Sequence, residues 1–143
     1  MRFIKGKVFI DTNVLVYTQN DLEKEKQQIC RSVLNQIIKK NNLVISTQII
    51  QEYYNVSTLK LGLDKHFVKS TINHFDFHET ILLKPNLILQ AIDIQIVNQL
   101  SFWDSLVISA AKSANCTTIL TEDLNDGQSI EGIKIQSPFS IEF

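Results

Sequence analysis

With 143 residues and 44% hydrophobic content, the chain can bury a core without disulfides or structural metal, and one domain spanning 1–143 is expected. Its 14 basic and 15 acidic residues, net charge -1, exclude a broad basic surface of the kind that binds nucleic acid by charge alone. Cys30 and Cys116 lie outside any CxxC pattern, and no apolar run approaches a membrane span or a signal-peptide core, so a soluble cytoplasmic protein with reduced, packed thiols is expected.

The first element is the stretch KVFIDTNVLVY, Lys7 to Tyr17. Val8, Phe9 and Ile10 make a short β-forming run, the triplet Asp11, Thr12, Asn13 is polar, and apolar character resumes at Val14. Asp11 therefore sits at the carboxyl end of a strand, the edge at which open parallel α/β sheets bind ligands. Asp11 or Asn13 would also cap the following helix well.

Next, Leu22, Ile29, Val33, Ile37 and Ile38 recur at helical spacing, with Asp21 as the expected N-cap and Lys39, Lys40 and Asn41 at the C-terminus. Leu43 to Ile45 predicts a second strand ending at Ser46 and Thr47. Ile49, Ile50, Tyr53, Val56 and Leu59 continue as a helix. Strand, helix, strand implies a parallel pair with a right-handed crossover. Glu52 lies little more than one turn into the new helix, within reach of the same edge as Asp11.

Gly62 ends that helix and Asp64 caps the next, whose apolar stripe is Phe67, Val68, Ile72 and Phe75; the two form a helical hairpin. Its Tyr53, Tyr54, Phe67 and Phe75 are bulky enough to suggest a partner surface. His74 and His78 in HFDFH lack the pattern of a zinc site, so the histidines are read as structural. Thr80 to Leu83 is a strand or an extended connector, and Pro85 opens a helix, PNLILQAIDIQIVNQL, apolar enough to be largely buried.

Ser101 and Asp104 form an S-x-x-D capping pattern ahead of LVISAAKSAN, with Asn115 as its C-cap. Cys116 to Thr121 is a strand leading straight into Glu122, Asp123 and Asp126, and Ile133 to Ile135 is a last short strand. Each acid has a local structural explanation. Independent caps and surface acids, however, have no reason to gather at one sheet edge, as Asp11, Glu52, Asp104 and Asp123 are expected to do. Two such charges about 5 Å apart repel by roughly 3 kcal/mol at an effective dielectric near 20. A positive partner is implied, and with no Cys/His set a hard divalent cation on oxygen ligands is the natural one. Metal-assisted phosphodiester hydrolysis is the chemistry such a site performs.

Together FIDTNVLVY, STQIIQEYY, SFWDSLVISAA, TILTEDLNDGQ and GIKIQSPF resemble the PIN domain, in particular the toxin halves of small bacterial VapBC toxin-antitoxin pairs. The resemblance runs nearly end to end. It implies a three-layer α/β/α sandwich around a mainly parallel sheet, with Asp11, Glu52, Asp104 and Asp123 at the catalytic, metal-binding positions and Asn13 and Thr121 lining the site. Glu122 and Asp126 flank the fourth position and are alternatives to Asp123. It further implies a Mg²⁺- or Mn²⁺-dependent endoribonuclease acting on single-stranded or structured RNA, commonly a homodimer and held inactive by a small antitoxin. The charge balance does not argue for it, and a mildly acidic ribonuclease would need its few lysines, such as Lys39, Lys40, Lys60, Lys65 and Lys69, gathered near the cleft. The competing readings are a phosphotransfer domain, for which D-x-D is absent at Asp11-Thr12-Asn13, and a catalytically idle PIN-like scaffold that only binds a protein or RNA partner.

Overall fold

The computed structural model describes residues 4–75 and 77–141, so Asp76 of HFDFH lies outside the described residues. The elements run β1 (Val8–Ile10), α1 (Thr12–Tyr17), α2 (Lys24–Lys39), β2 (Leu43–Ser46), α3 (Thr47–Leu59), α4 (Lys65–His74) and β3 (Glu79–Ile81). They continue through α5 (Pro85–Asn98), α6 (Phe102–Ser113), β4 (Thr118–Leu120), β5 (Ser129–Ile130) and β6 (Ile133–Gln136) to a 3-10 turn at Pro138–Ser140.

The sheet order is β3-β2-β1-β4-β6-β5, parallel except for β5, which pairs antiparallel with β6 at one edge. β1, β2 and β4 are buried at every position, as strands covered on both faces must be, which is why they read as unbroken apolar runs. From β1 the chain steps through β2 to β3, then crosses back to β4 on the other side of β1. Right-handed crossovers in opposite directions put the intervening helices on opposite faces. Accordingly α1 packs on α2 and α3, α3 on α4, and α5 on α6, while both α3 and α6 lie against β2. The result is a sheet flanked by helices on both sides, the expected architecture. Its core centres on Phe9, Ile10, Val44, Ile45, Ile119, Leu120 and Ile135.

The reversal of strand order between β1 and β4 creates a topological switch point, where the connections leave in opposite directions and open a crevice at the strands' carboxyl ends. Asp11 follows β1 there and Thr121 to Asp123 follow β4; the Asp11 amide donates to the Leu120 carbonyl at 3.0 Å and holds the two ends together.

Three local expectations are corrected. Asp21 does not cap α2: Glu23 occupies that position, and Asp21 instead accepts from Lys24 and Gln27, leaving Leu22 exposed. α5 is not largely buried, since only Ala91 and Ile94 are, while Ile88, Leu89, Ile92, Ile96 and Val97 face outward. The strand β5 was not anticipated. It pairs with β6 through a two-residue turn in which Glu131 and Gly132 have φ of 50° and 80°, the left-handed pair that a twisted hairpin demands. Glu131 tolerates this backbone with its carboxylate held by Asn98 and Lys112.

Candidate active site

Asp11 is the N-cap of α1, its Oδ1 accepting from the Thr12 amide at 2.8 Å. Its Oδ2 accepts from the Thr121 hydroxyl, also at 2.8 Å. Capping alone would leave the side chain in water, but here it is only 5% exposed. Burial pushes the carboxyl up to about 6, opposed by the Thr121 and Thr12 hydrogen bonds and reinforced by the charges of Asp123 and Glu52.

Thr121 ties the far side of the crevice together. Its hydroxyl donates to Asp11 and accepts from the Asn13 side-chain amide at 3.3 Å and from the Asp123 backbone amide at 3.1 Å. Asn13 in turn accepts from the Glu122 amide at 3.2 Å through Oδ1. Thr121 is fully buried, so its hydroxyl is consumed in holding Asp11, Asn13 and the β4 loop. Glu52 projects from the second turn of α3, its Oε2 accepting from the Thr12 hydroxyl at 2.6 Å and its Oε1 from Gln48 at 3.0 Å. The same Gln48 amide donates to the Trp103 carbonyl at 3.2 Å, linking α3 to the first turn of α6.

Asp104 stands in that first turn. The cap there is made by the Ser101 hydroxyl and the Asp104 backbone amide, 3.0 Å apart, so the Asp104 carboxylate is not what caps the helix. Burial raises its pKa, the Ser101 hydrogen bond opposes this, and the Asp123 and Glu52 charges add to it. Asp11 and Asp104, contributed by opposite helical layers, thus both sense Glu52 and Asp123. Among the described residues none of the four forms an ion pair with Lys or Arg, whereas Asp21, Glu79, Glu122 and Glu131 each have a lysine.

The two neighbouring acids are otherwise employed. Glu122 accepts from Tyr17 at 2.6 Å and pairs with Lys26 at 3.4 Å, and Asp126 accepts from the Ser137 amide and the Ser140 hydroxyl. Among the described residues no three acids stand close enough to form a ready-made metal cage. A spaced, oxygen-only set still fits a hard cation such as Mg²⁺, which keeps several waters and takes one or two carboxylates directly.

A groove of about 410 Å³ leads away from these acids, lined by Thr12, Asn13, Val16, Tyr17, Asn20, Glu52, Val56, Lys60, Leu61 and Asp123. Of the lysines such an enzyme would need near the cleft, Lys39, Lys40, Lys60, Lys65 and Lys69, only Lys60 lines it. Lys65 and Lys69 border a separate depression with Tyr54, His66 and Ile72. On the hairpin, Tyr53 is buried and Phe75 partly buried, while Tyr54 and Phe67 remain exposed. Sequence reading missed Thr12 and Gln48 as supports of Glu52, although Gln48 is legible as an i,i+4 neighbour on the same helical face.

The PIN domain family model matches residues 8–125. Among solved structures, the chain is similar to Mycobacterium tuberculosis VapC20, a sarcin-ricin loop cleaving toxin, with TM-score 0.64 and 13% identity over 79% of this chain and 87% of that one. It is also similar to Rickettsia felis VapBC2 bound to a promoter DNA fragment, with TM-score 0.67 and 20% identity over 91% and 97% of the two chains. DNA-bound VapBC from Salmonella typhimurium gives TM-score 0.67 and 17% identity over 94% and 99%. No curated protein matches it by sequence.

Proposed function

The chain belongs to the PIN domain family, and from that premise we propose that it is a Mg²⁺- or Mn²⁺-dependent endoribonuclease, the toxin half of a toxin-antitoxin pair. The observation that carries this reading is the set of Asp11, Glu52, Asp104 and Asp123 at the switch point, in which Asp11 and Asp104 each feel the charges of Glu52 and Asp123 and none of the four has a protein cation among the described residues. A buried carboxylate such as Asp11, with further acids beside it, calls for a compensating cation, and a divalent ion is that partner. When bound it supplies Lewis acidity toward a phosphoryl oxygen and acidifies a water.

In this reading Asp11 and Asp104 are the principal ligands, one from each helical layer, with Glu52 and Asp123 completing the shell directly or through water. Thr12, Gln48 and Thr121 aim those carboxylates by donating to them or to their neighbours. Asn13 lines the groove beside Asp123 and is the polar group placed to meet substrate. A small antitoxin is the proposed protein partner, by analogy with the VapBC complexes that share the fold. We assign the homodimer contact to α5, whose exposed Ile88, Leu89, Ile92 and Ile96 fall within one stripe of about 100° at 3.6 residues per turn. Asp93 is the only charge in this helix, and an apolar, nearly uncharged face suits self-pairing about a two-fold axis.

The decisive experiment incubates the protein with a defined set of structured and unstructured RNAs in Mg²⁺, Mn²⁺ and EDTA. Metal-dependent cleavage products that vanish in Asp104→Asn are expected. Absence of products with every RNA in either metal would leave the idle-scaffold reading in possession.

A further inference from the structure

We infer that Tyr17 and Glu122, braced by Lys26, form a clamp that positions Asp123, so that Glu122 serves the site through its neighbour and takes no place in the metal shell itself. This rests on the metal-site reading and deepens it by naming the positioning residues of the fourth acid. Asp11 and Glu52 are each held through both carboxylate oxygens, Asp11 by the Thr12 amide and the Thr121 hydroxyl, Glu52 by the Thr12 hydroxyl and the Gln48 amide. Asp123 has no such support. Its backbone amide donates to the Thr121 hydroxyl at 3.1 Å, but its carboxylate accepts no hydrogen bond among the described residues, and it stands on the exposed loop after β4. The direction of that carboxylate must therefore come from the backbone that carries it.

Glu122 is what fixes that backbone. Asn13 and Tyr17, four residues apart on one face of α1, meet it at two points: Asn13 Oδ1 accepts from the Glu122 amide at 3.2 Å, and the Tyr17 hydroxyl donates to Glu122 Oε2 at 2.6 Å. Lys26, from the first turn of α2, donates to Glu122 Oε1 at 3.4 Å and to the Tyr17 oxygen at 3.3 Å. Its ammonium lies 5.1 Å from the centre of the Tyr17 ring and 5.5 Å from that of Phe139, which in turn meets Tyr17 edge-on with centroids 5.6 Å apart. At the far end of the same loop Asp126 accepts from the Ser137 amide and the Ser140 hydroxyl, on either side of Phe139. Asp123 is thus carried between two pinned acids. Each contact at these half-exposed positions is weak alone, but α1, α2 and the 3-10 turn converge on one carboxylate. Partners that orient a ligand in this way govern metal affinity without touching the ion.

The test is a double-mutant cycle on Mn²⁺ affinity, measured by calorimetry for wild type, Tyr17→Phe, Asp123→Asn, Asp104→Asn and the two doubles that add Tyr17→Phe to each Asn. Tyr17→Phe removes a hydroxyl and no charge and keeps the ring against Phe139 and Lys26, so it should fold and still weaken Mn²⁺ binding about tenfold. In the Asp123→Asn background that loss should vanish, because both changes act through one carboxylate, whereas in the Asp104→Asn background it should persist. A charge-matched pair checks the other half of the clamp: Glu122→Gln still accepts from Tyr17 and should bind Mn²⁺ about fivefold more tightly than Glu122→Ala. An undiminished Tyr17→Phe loss in the Asp123→Asn background, a Tyr17→Phe affinity equal to wild type, or equal affinities for the Glu122 pair overturns the proposal. Amide hydrogen exchange in EDTA, read by NMR, tests the clamp without metal, since Tyr17→Phe should speed exchange at Glu122 and Asp123 about fivefold. Faster exchange in a protein that binds no Mn²⁺ removes the metal reading and leaves the clamp; Mn²⁺ binding with unchanged exchange removes the clamp and leaves the metal.

Discussion

Asp11→Asn separates a metal site from a structural cap because the two roles predict opposite signs. In the metal-free protein the Asp11 carboxyl is raised from 3.8 to about 6. Two units correspond to about 3 kcal/mol of differential interaction at 1.36 kcal/mol each. The sign follows from linkage: between pH 3.8 and 6 the folded state holds the proton more tightly than the unfolded one. Stability therefore falls as pH rises through that window and is flat above it. The Asn variant does not titrate there. It keeps the bond from the Thr12 amide, but its NH₂ faces the Thr121 hydroxyl, which already accepts from Asn13 and Asp123 and loses the oxygen it donates to. That mismatch costs roughly 1–2 kcal/mol. Urea unfolding in EDTA should thus find Asp11→Asn more stable than wild type by about 1–2 kcal/mol at pH 7.5, and less stable by about as much at pH 3.5, with the curves crossing between. With Mn²⁺ added wild type gains linkage stabilisation, about 2.7 kcal/mol at a hundredfold excess over its dissociation constant, and the variant gains less. RNA cleavage should fall at least about a hundredfold. A variant destabilised in EDTA at pH 7.5 that still cleaves at near the wild-type rate would refute both the electrostatic reasoning and the place of Asp11 in the site.

Asp104→Asn should leave urea stability within about 0.5 kcal/mol of wild type, because the cap uses the Asp104 amide, while calorimetry with Mn²⁺ shows weakened binding; an unchanged isotherm removes Asp104 from the shell. Ser101→Ala should do the reverse, costing about 1 kcal/mol of stability with metal affinity retained at saturating folding. Thr121→Val strips a donor from buried Asp11 and should destabilise by about 1–3 kcal/mol while moving the Asp11 titration, followed by carboxyl NMR, further upward. Ile92→Asp on the α5 stripe should shift the sedimentation coefficient from dimer to monomer at micromolar protein, and identical coefficients would remove α5 as the contact.

The sheet was legible because its strands are buried on both faces. Val8 to Ile10, Leu43 to Ile45 and Thr118 to Leu120 carry no polar residue facing solvent, so continuous apolar runs ending in polar residues marked both the strands and their carboxyl ends. Asp64 and Ser101 were legible as caps for the same local reason. Asp21 misled, since it has the right side chain, but the chain turns for two further residues before α2 begins, and Gln27 and Lys24 draw its carboxylate away. α5 misled because apolar content cannot distinguish a helix buried in its own subunit from one whose second apolar face is exposed. The same Leu and Ile side chains serve either helix, and only the packing partner decides between them.

The candidate site was legible as a set of residue types at strand ends, whereas the hydrogen bonds that orient them were not. Thr121 lies 110 residues from Asp11 and meets it only because β4 is the neighbour of β1. Nothing in the sequence orders β4 beside β1 in preference to β3. The three acids after β4 also differ in what they meet. Alternate residues of a chain leaving a strand point to opposite sides, which sends Glu122 outward to Tyr17 and Lys26. By Asp126 the loop has turned toward the 3-10 segment, where both carboxylate oxygens hold Ser137 and Ser140. Asp123 is left as the acid of this loop whose charge acts on both Asp11 and Asp104. What separates the three acids is therefore the direction of the backbone after β4 and not their own chemistry.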